Sequence, residues 1–452
     1  MKIPEFQKNR FGLFIHFGAY AVNGKSEWLK SHEKMTDEAY QVYIDAFSPE
    51  ENCMQEWARL AKLAGMKYAV LTTKHHDGFC LFNSKLTDYS TQKTLNRDLV
   101  REFVEAFRAE GIKIGFYYSL IDWHHFDFPH YGDLQHPMRT DPKTLEVEPQ
   151  RDLNRYLDDM HGQIRELLTN YGKIDIMWYD FSYNNPVETG LPNMKGDTWR
   201  ATQLVAMMHD LQTDLIYNNR IGSNGGMLVA DPELYAGDFT SPEQLVPPKG
   251  MMNEKGELVP WEAAITMNHT WGYTNNPFAY KSSKTLIHAL VDAVSKNGNL
   301  LLNVGPDARG HFPELAAERL VAIGKWMDQN AASIYDCQAA PVDKPDWGRY
   351  TYKPATASQG AKLYAHIYER GVGPLPLVGL EGKLKSATLL SDGTRLNMDR
   401  PWNVSKFPND AFLELPWFDS LPDDSDTVIE FELLDGVNLA EEVASGDVCL
   451  VT

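Results

Sequence analysis

Short apolar runs alternate with helical patterns along most of this chain, and that order constrains the fold more than any single motif. Phe11 to Phe17 reads as a first strand and Lys67 to Thr73 as a second. Between them, Ser48 is placed to cap a helix that opens on Pro49-Glu50-Glu51, with acids in its first turn. Met54, Trp57, Leu60, Ala61 and Ala64 then recur at helical spacing until Gly65 closes the segment. Lys113 to Ser119, Ile174 to Asp180 and Leu215 to Asn219 follow as strands, the first two entered from helices over Asp98 to Glu110 and Leu153 to Asn170. A weaker sixth strand is expected near Tyr235 to Phe239, a seventh at Ile265 to His269, and an eighth at Asn299 to Val304 after a helix from Lys284 to Val294. A last helix is expected from Pro313, at its N1 position, to about Asn330.

Strands that alternate with helices imply a parallel sheet, and eight in succession over about 330 residues fit a (β/α)8, TIM-like barrel. An open doubly wound sheet is the runner-up. It usually carries a glycine fingerprint after its first strand, which is missing here. Gly18 is separated from Gly24-Lys25-Ser26 by five residues, where a phosphate-binding loop needs four. After Ser333 the pattern turns to short strand-like runs punctuated by Pro and Gly, including Tyr350-Thr351-Tyr352, Lys362 to Tyr368, Ala387 to Leu390 and Thr427 to Phe431. The expected division is a catalytic α/β barrel over residues 1–335 and an all-β sandwich over residues 336–452.

The net charge of −19 argues against nucleic acid and against anionic membranes as partners, and leaves a neutral ligand such as a sugar open. Cys53, Cys80, Cys337 and Cys449 have no CxxC spacing, so no zinc site or disulfide framework is signalled. Met1-Lys2-Ile3-Pro4-Glu5 lacks the apolar core of a leader, and no apolar run reaches membrane length. A cytoplasmic protein is expected unless a leader has been removed.

In barrels of this kind the chemistry sits at the C-terminal ends of the strands. Those ends carry His16, then His75 and His76, Tyr118, Trp178 with Asp180, Arg220, Glu243, Trp271 and Asn303. Lys74-His75-His76-Asp77-Gly78-Phe79 places two imidazoles where a buried strand should end, with Asp77-Gly78 as turn residues. Alternation in Ile174 to Asp180 puts Ile174, Ile176, Trp178 and Asp180 on one face, so a carboxylate follows an indole toward the barrel interior. A glycosidase needs two carboxyl groups flanking the bond, and Glu243 and Glu262 are the candidates for the second. A metal site built from His75, His76 and Asp77 is the competing reading. Neighbouring strand residues point to opposite faces, which counts against it, and no metal or other cofactor is expected. A sugar-binding protein without catalysis is the other alternative.

The chain resembles the α-L-fucosidases of glycoside hydrolase family 29. The segments that carry the resemblance include Phe11 to Gly18, Glu27-Trp28, Lys74 to Phe79, Gly115 to Ser119, Met177 to Asp180, Asn219-Arg220, Trp261-Glu262, Thr270 to Tyr273 and Leu301 to Pro306, in order along the barrel region. It departs at Phe17, where many members carry Trp. The resemblance implies a retaining, exo-acting hydrolase of fucosylated oligosaccharides or glycoconjugates with Asp180 as nucleophile. It places the acid/base in a variable region, where Glu243 is preferred and Glu262 is the fallback. His16, Glu27, Trp28, His75, His76, Tyr118, Trp178 and Arg220 are implied around the sugar. Trp271 and Phe79 are plausible walls for its apolar face, and Arg220 is expected beside the nucleophile.

Overall fold

Seven parallel strands form one curled sheet: β1 (Phe11–Ile15), β2 (Tyr68–Lys74), β3 (Lys113–Ser119), β4 (Ile176–Asp180), β5 (Ile216–Tyr217), β7 (Glu262–Thr266) and β8 (Asn299–Val304). Their spatial order is β5-β4-β3-β2-β1-β8-β7. A separate strand, β6 (Gly250–Met252), pairs in parallel with Val448–Leu450. The structure is a computed structural model that describes residues 1–185, 187, 190–191, 193–222, 237–252, 257–417, 419–437, 439 and 448–450. Among these, no helix is long and apolar enough to cross a membrane.

Residues two apart on each strand share a face, and the sheet sorts its apolar side chains accordingly. Phe14, Val70, Tyr117, Ile176, Trp178, Ile216, Ala264 and Leu301 gather with Phe6 and Phe239 inside the curl. Leu13, Ile15, Ala69, Leu71, Phe116, Tyr118, Met177 and Tyr179 face outward into a larger core shared with the helices. Phe17 belongs to that outer core, packed on Phe47 and edge-on to Trp57, so its departure from the family pattern alters packing.

Between the free edges of β5 and β7 the chain makes isolated parallel bridges. Asn218 pairs with Phe239 on one side; Thr240 pairs with Trp261 and Glu243 with Ala264 on the other. The expected sixth strand is reduced to these bridges, and its first residue, Tyr235, lies outside the described residues. The seventh strand begins at Glu262, three residues before its expected start, which turns Glu262 inward. The helix expected from Pro49 begins at Cys53, because Asn52 sits at φ +67° and interrupts the turn before it. Ser48 therefore caps nothing; its hydroxyl donates to the Ala46 carbonyl. Pro313 is the N-cap of its helix, one position before N1.

The C-terminal residues form a six-stranded antiparallel sheet in the order Arg395–Leu396, Leu384–Leu389, Thr427–Leu433, Lys362–Ile367, Gly348–Lys353, Gln338–Ala339. Leu363, Ala365, Ile429 and Phe431 on one face pack with Leu377 and Leu413 of a two-stranded sheet. Tyr364 and Val428 on the other face join the outer core of the N-terminal region.

A bulge between Thr72 and Lys74 shifts the register of β2 on β3 just before the histidine pair. It turns Lys74 outward, where Nζ donates to Asp122 Oδ2 at 2.9 Å, both groups buried. Asp122 Oδ1 accepts from the backbone N–H groups of His124 and His125, so this carboxylate organises the loop after β3. Gly78 lies against it at φ +83°, and a Cβ there would meet Asp122 Oδ1 at 2.3 Å. Removing the cation strands a buried carboxylate, so Lys74→Met is expected to lower stability by about 3–5 kcal/mol, measured by denaturant unfolding.

Candidate active site

The inward face ends in a cavity of about 150 Å³ at the C-terminal edge of the sheet, lined among others by Glu27, Trp28, His75, Asp180, Glu243 and Trp271. Asp180 is the last residue of β4. Its Oδ2 accepts from Tyr117 Oη at 2.9 Å, and its Oδ1 accepts from Arg220 Nη1 at 2.7 Å and from the Phe181 N–H at 2.9 Å. Phe181 takes φ +78° to make that contact, a strained conformation for an aromatic residue.

Arg220 is buried in the short turn that follows β5. Its Nη2 donates to Glu243 Oε2 at 3.0 Å and to the Ser241 carbonyl at 3.1 Å, while Nε donates to Ser241 Oγ at 3.0 Å. The guanidinium lies over the Trp178 ring, 4.5 Å from its centroid. One cation therefore holds both carboxylates, and it rests on the indole that precedes the first of them. Glu243 is fixed by its bridge to Ala264, and the next residue, Gln244, turns the chain at φ +54°.

The imidazoles crowd the opposite wall. His75 and His76 have ring centroids 4.0 Å apart, and His75 stacks on Tyr117 at 5.7 Å. His76 Nε2 is 4.0 Å from Asp180 Oδ2. Burial lowers His16 to about 4 and takes His75 and His76 well below the usual range, so the rings are neutral at neutral pH. Glu27 is also buried, which raises its pKa; its Oε2 accepts from the Gly272 N–H at 2.8 Å. Trp28 closes the side beside His76 and Phe181, and Trp271 lies beside His16. Asp77 is spent on structure, accepting from Tyr40 Oη and from the Phe79 N–H. Among the described residues no three His, Cys, Asp or Glu side chains gather as a metal-ligand set.

His16, Glu27, Trp28, His75, His76, Trp178, Asp180, Arg220, Glu243 and Trp271 all line this cavity. Tyr118 does not. It faces outward, and its hydroxyl donates to Gln163 Oε1 at 2.6 Å. Tyr117, opposite Trp178 in the register of β3 on β4, takes the inward place. The two-residue period that singles out Trp178 and Asp180 would have found Tyr117 on the neighbouring strand. Phe79 also packs outside, against Phe47 and Tyr89. Phe181, Ser182 and Tyr183 line the cavity from a loop, where no periodicity announces them.

Glu262, the fallback acid, sits away from the cavity lining. As the first residue of β7 it lies inside the curl, fully buried, accepting from Tyr68 Oη at 2.5 Å and from Trp178 Nε1 at 3.2 Å.

The family model for alpha-L-fucosidase matches residues 1–332. The chain belongs to the α-L-fucosidase family. The solved structure of α-L-fucosidase isoenzyme 1 from Paenibacillus thiaminolyticus is 51% identical, with a TM-score of 0.89, covering 96% of this chain and 99% of that one. A family 29 α-L-fucosidase from Bacteroides thetaiotaomicron, solved as a covalent intermediate trapped with 2-fluoro-fucosyl fluoride, is 27% identical with a TM-score of 0.77, covering 95% of each chain. Human tissue α-L-fucosidase is 28% identical over 444 residues, 91% of this chain and 84% of that protein. This α-L-fucosidase is thus a glycoside hydrolase of the retaining class.

Burial pushes Glu262 up to about 7. Its folded pKa is above the unfolded value of about 4.3, so the stability held by the neutral acid is complete below about pH 4 and is lost as pH rises through about 7. That loss amounts to roughly 4 kcal/mol at about 1.36 kcal/mol per pH unit. Glu262→Gln is expected to flatten the fall in unfolding free energy between about pH 4 and pH 7, measured by urea unfolding across that range.

Proposed function

We propose that this α-L-fucosidase removes single terminal α-L-fucosyl residues from fucosylated oligosaccharides or glycoconjugates, with Asp180 as nucleophile and Glu243 as acid/base. The observation that carries these roles is the Arg220 guanidinium bonded to both carboxylates inside one cavity. Asp180 attacks the anomeric carbon as Glu243 gives its proton to the departing glycosidic oxygen, leaving a fucosyl ester on Asp180. Glu243 then takes a proton from water, which attacks the same carbon and frees Asp180 with the configuration kept. The cavity is smaller than the roughly 300–1,000 Å³ of drug-sized ligand sites, in keeping with one sugar ring and an exo-acting enzyme. His16, Glu27, Trp28, His75, His76, Trp178 and Trp271 surround the ring; Glu262, being walled off in the floor, has no part in proton transfer.

The same reading covers the architecture. The bridges of residues 218, 239, 240 and 243 support closure of the curled sheet into an eight-membered barrel, with residues 239–243 as its missing stave. The six-stranded and two-stranded sheets, sharing one apolar core, support a C-terminal sandwich over residues 336–452 beside a catalytic unit over residues 1–335.

Asp180→Ala is expected to lower turnover of 4-nitrophenyl α-L-fucoside by roughly 10⁴-fold, and azide should restore it with formation of the inverted fucosyl azide. Near-normal activity in that variant would remove Asp180 from the mechanism. Glu243→Ala is expected to cost about 10²–10⁴-fold on fucosylated oligosaccharides and far less on activated aryl fucosides. The same leaving-group pattern in Glu262→Ala would transfer the role to Glu262.

A further inference from the structure

Two of the imidazoles in the cavity have their hydrogen-bond polarity decided by residues behind them. His76 Nδ1 lies 2.7 Å from Ser119 Oγ. The single hydroxyl proton of Ser119 goes to the Ile121 carbonyl, also at 2.7 Å. A carbonyl only accepts, so Ser119 Oγ is left as an acceptor toward the ring and His76 Nδ1 must carry the hydrogen.

His16 reaches the same state by another route. Its Nδ1 lies 2.6 Å from Asn303 Oδ1, while Asn303 Nδ2 donates to the Trp271 carbonyl at 2.7 Å. The reversed amide would set oxygen against oxygen at Trp271, so Oδ1 faces His16 and its Nδ1 is the donor. Burial keeps both rings neutral, and a neutral ring with hydrogen on Nδ1 has a bare lone pair on Nε2. Neither Nε2 has a hydrogen-bond partner among the described residues, and both rings line the cavity. His76 Nε2 lies 4.0 Å from Asp180 Oδ2, so two acceptors face each other there across a gap that a donor can fill.

We propose that Ser119 and Asn303 are positioning residues that hold His76 and His16 as fixed hydrogen-bond acceptors, so that this wall of the pocket selects sugar hydroxyls as donors. Neither touches the sugar. Ser119 is the residue opposite Asp180 in the register of β3 on β4, and Asn303 is on β8 opposite Phe14 of β1. Both are thus carried on the same strands that carry or flank the chemistry. Selection by donors also explains why burial of the rings is useful. A protonated ring would present N–H on both sides and turn an acceptor into a donor against the hydroxyl it must receive.

This inference rests on the α-L-fucoside reading of the pocket, and the tests keep the two separable. The direct readout is nitrogen NMR of the free, full-length protein labelled with ¹⁵N-histidine. Two neutral rings with hydrogen on Nδ1 are expected at neutral pH, one of which reverts toward the hydrogen-on-Nε2 form in Ser119→Ala and is restored in Ser119→Thr; rings that carry hydrogen on Nε2 in the unaltered protein would overturn the proposal. The second readout is competitive binding of L-fucose analogues with one hydroxyl at a time replaced by hydrogen or by fluorine, which accepts weakly and cannot donate. At the positions facing the two rings, both replacements are expected to weaken binding alike, by about 10- to 100-fold. Fluorine analogues that bind close to the parent sugar while deoxy analogues do not would mean that the rings donate, and would sink the proposal. Failure of the unaltered protein to cleave 4-nitrophenyl α-L-fucoside would instead count against the functional reading, with the tautomers still measurable.

Discussion

The Arg220 guanidinium is the contact around which the pocket is organised. Buried and resting on Trp178, it reaches Asp180 from β4 and Glu243 from the segment between β5 and β7. Such a cation cannot be left unpaired in a low-dielectric site, and neither carboxylate could be brought so near the other without it. Nε and Nη2 also donate to Ser241, so its orientation is set by the same segment that carries Glu243. The placing of the two carboxylates and the geometry of that segment are therefore one problem with one solution.

Behind the cavity lies a buried polar layer, Tyr68, Glu262 and Asn299, that is not part of its lining. Glu262 takes hydrogen bonds from Tyr68 and Trp178, and Asn299 Nδ2 donates to Tyr68 Oη at 3.3 Å. These contacts hold the indole on which Arg220 rests, so the floor of the sheet interior and the charged pair above it are mechanically continuous. The outward Lys74–Asp122 pair plays the matching part on the far side of β2. It anchors the loop after β3, whose Trp123 packs against Trp28 and His76.

Much of this was legible in the chain, for reasons that differ from residue to residue. Apolar runs and helical spacing mark the strands of the curled sheet because a parallel strand is buried on both faces. Alternation identifies the inward face of β4, hence Asp180. The same rule misleads when only the end of a strand is read: Tyr118 is nearer the end of β3, but Tyr117 is on the correct face. Glu262-Ala263-Ala264 lacks the β-branched residues that announce a strand, so the start of β7, and with it the inward setting of Glu262, has no local signal. The bulge in β2 and the left-handed turn at Asn52 are tertiary choices that no local pattern declares.

Both carboxylates held by Arg220 are followed at once by a residue in the left-handed region, Phe181 at φ +78° and Gln244 at φ +54°. Each acid thus stands at a backbone corner, and the corner, more than the acid, limits what sequence is admissible there. A β-branched side chain at either position would add roughly 1–2 kcal/mol of steric cost. Positions 181 and 244 are thus limited by backbone geometry as well as by what their side chains touch, and the two acids keep their places only while both corners hold.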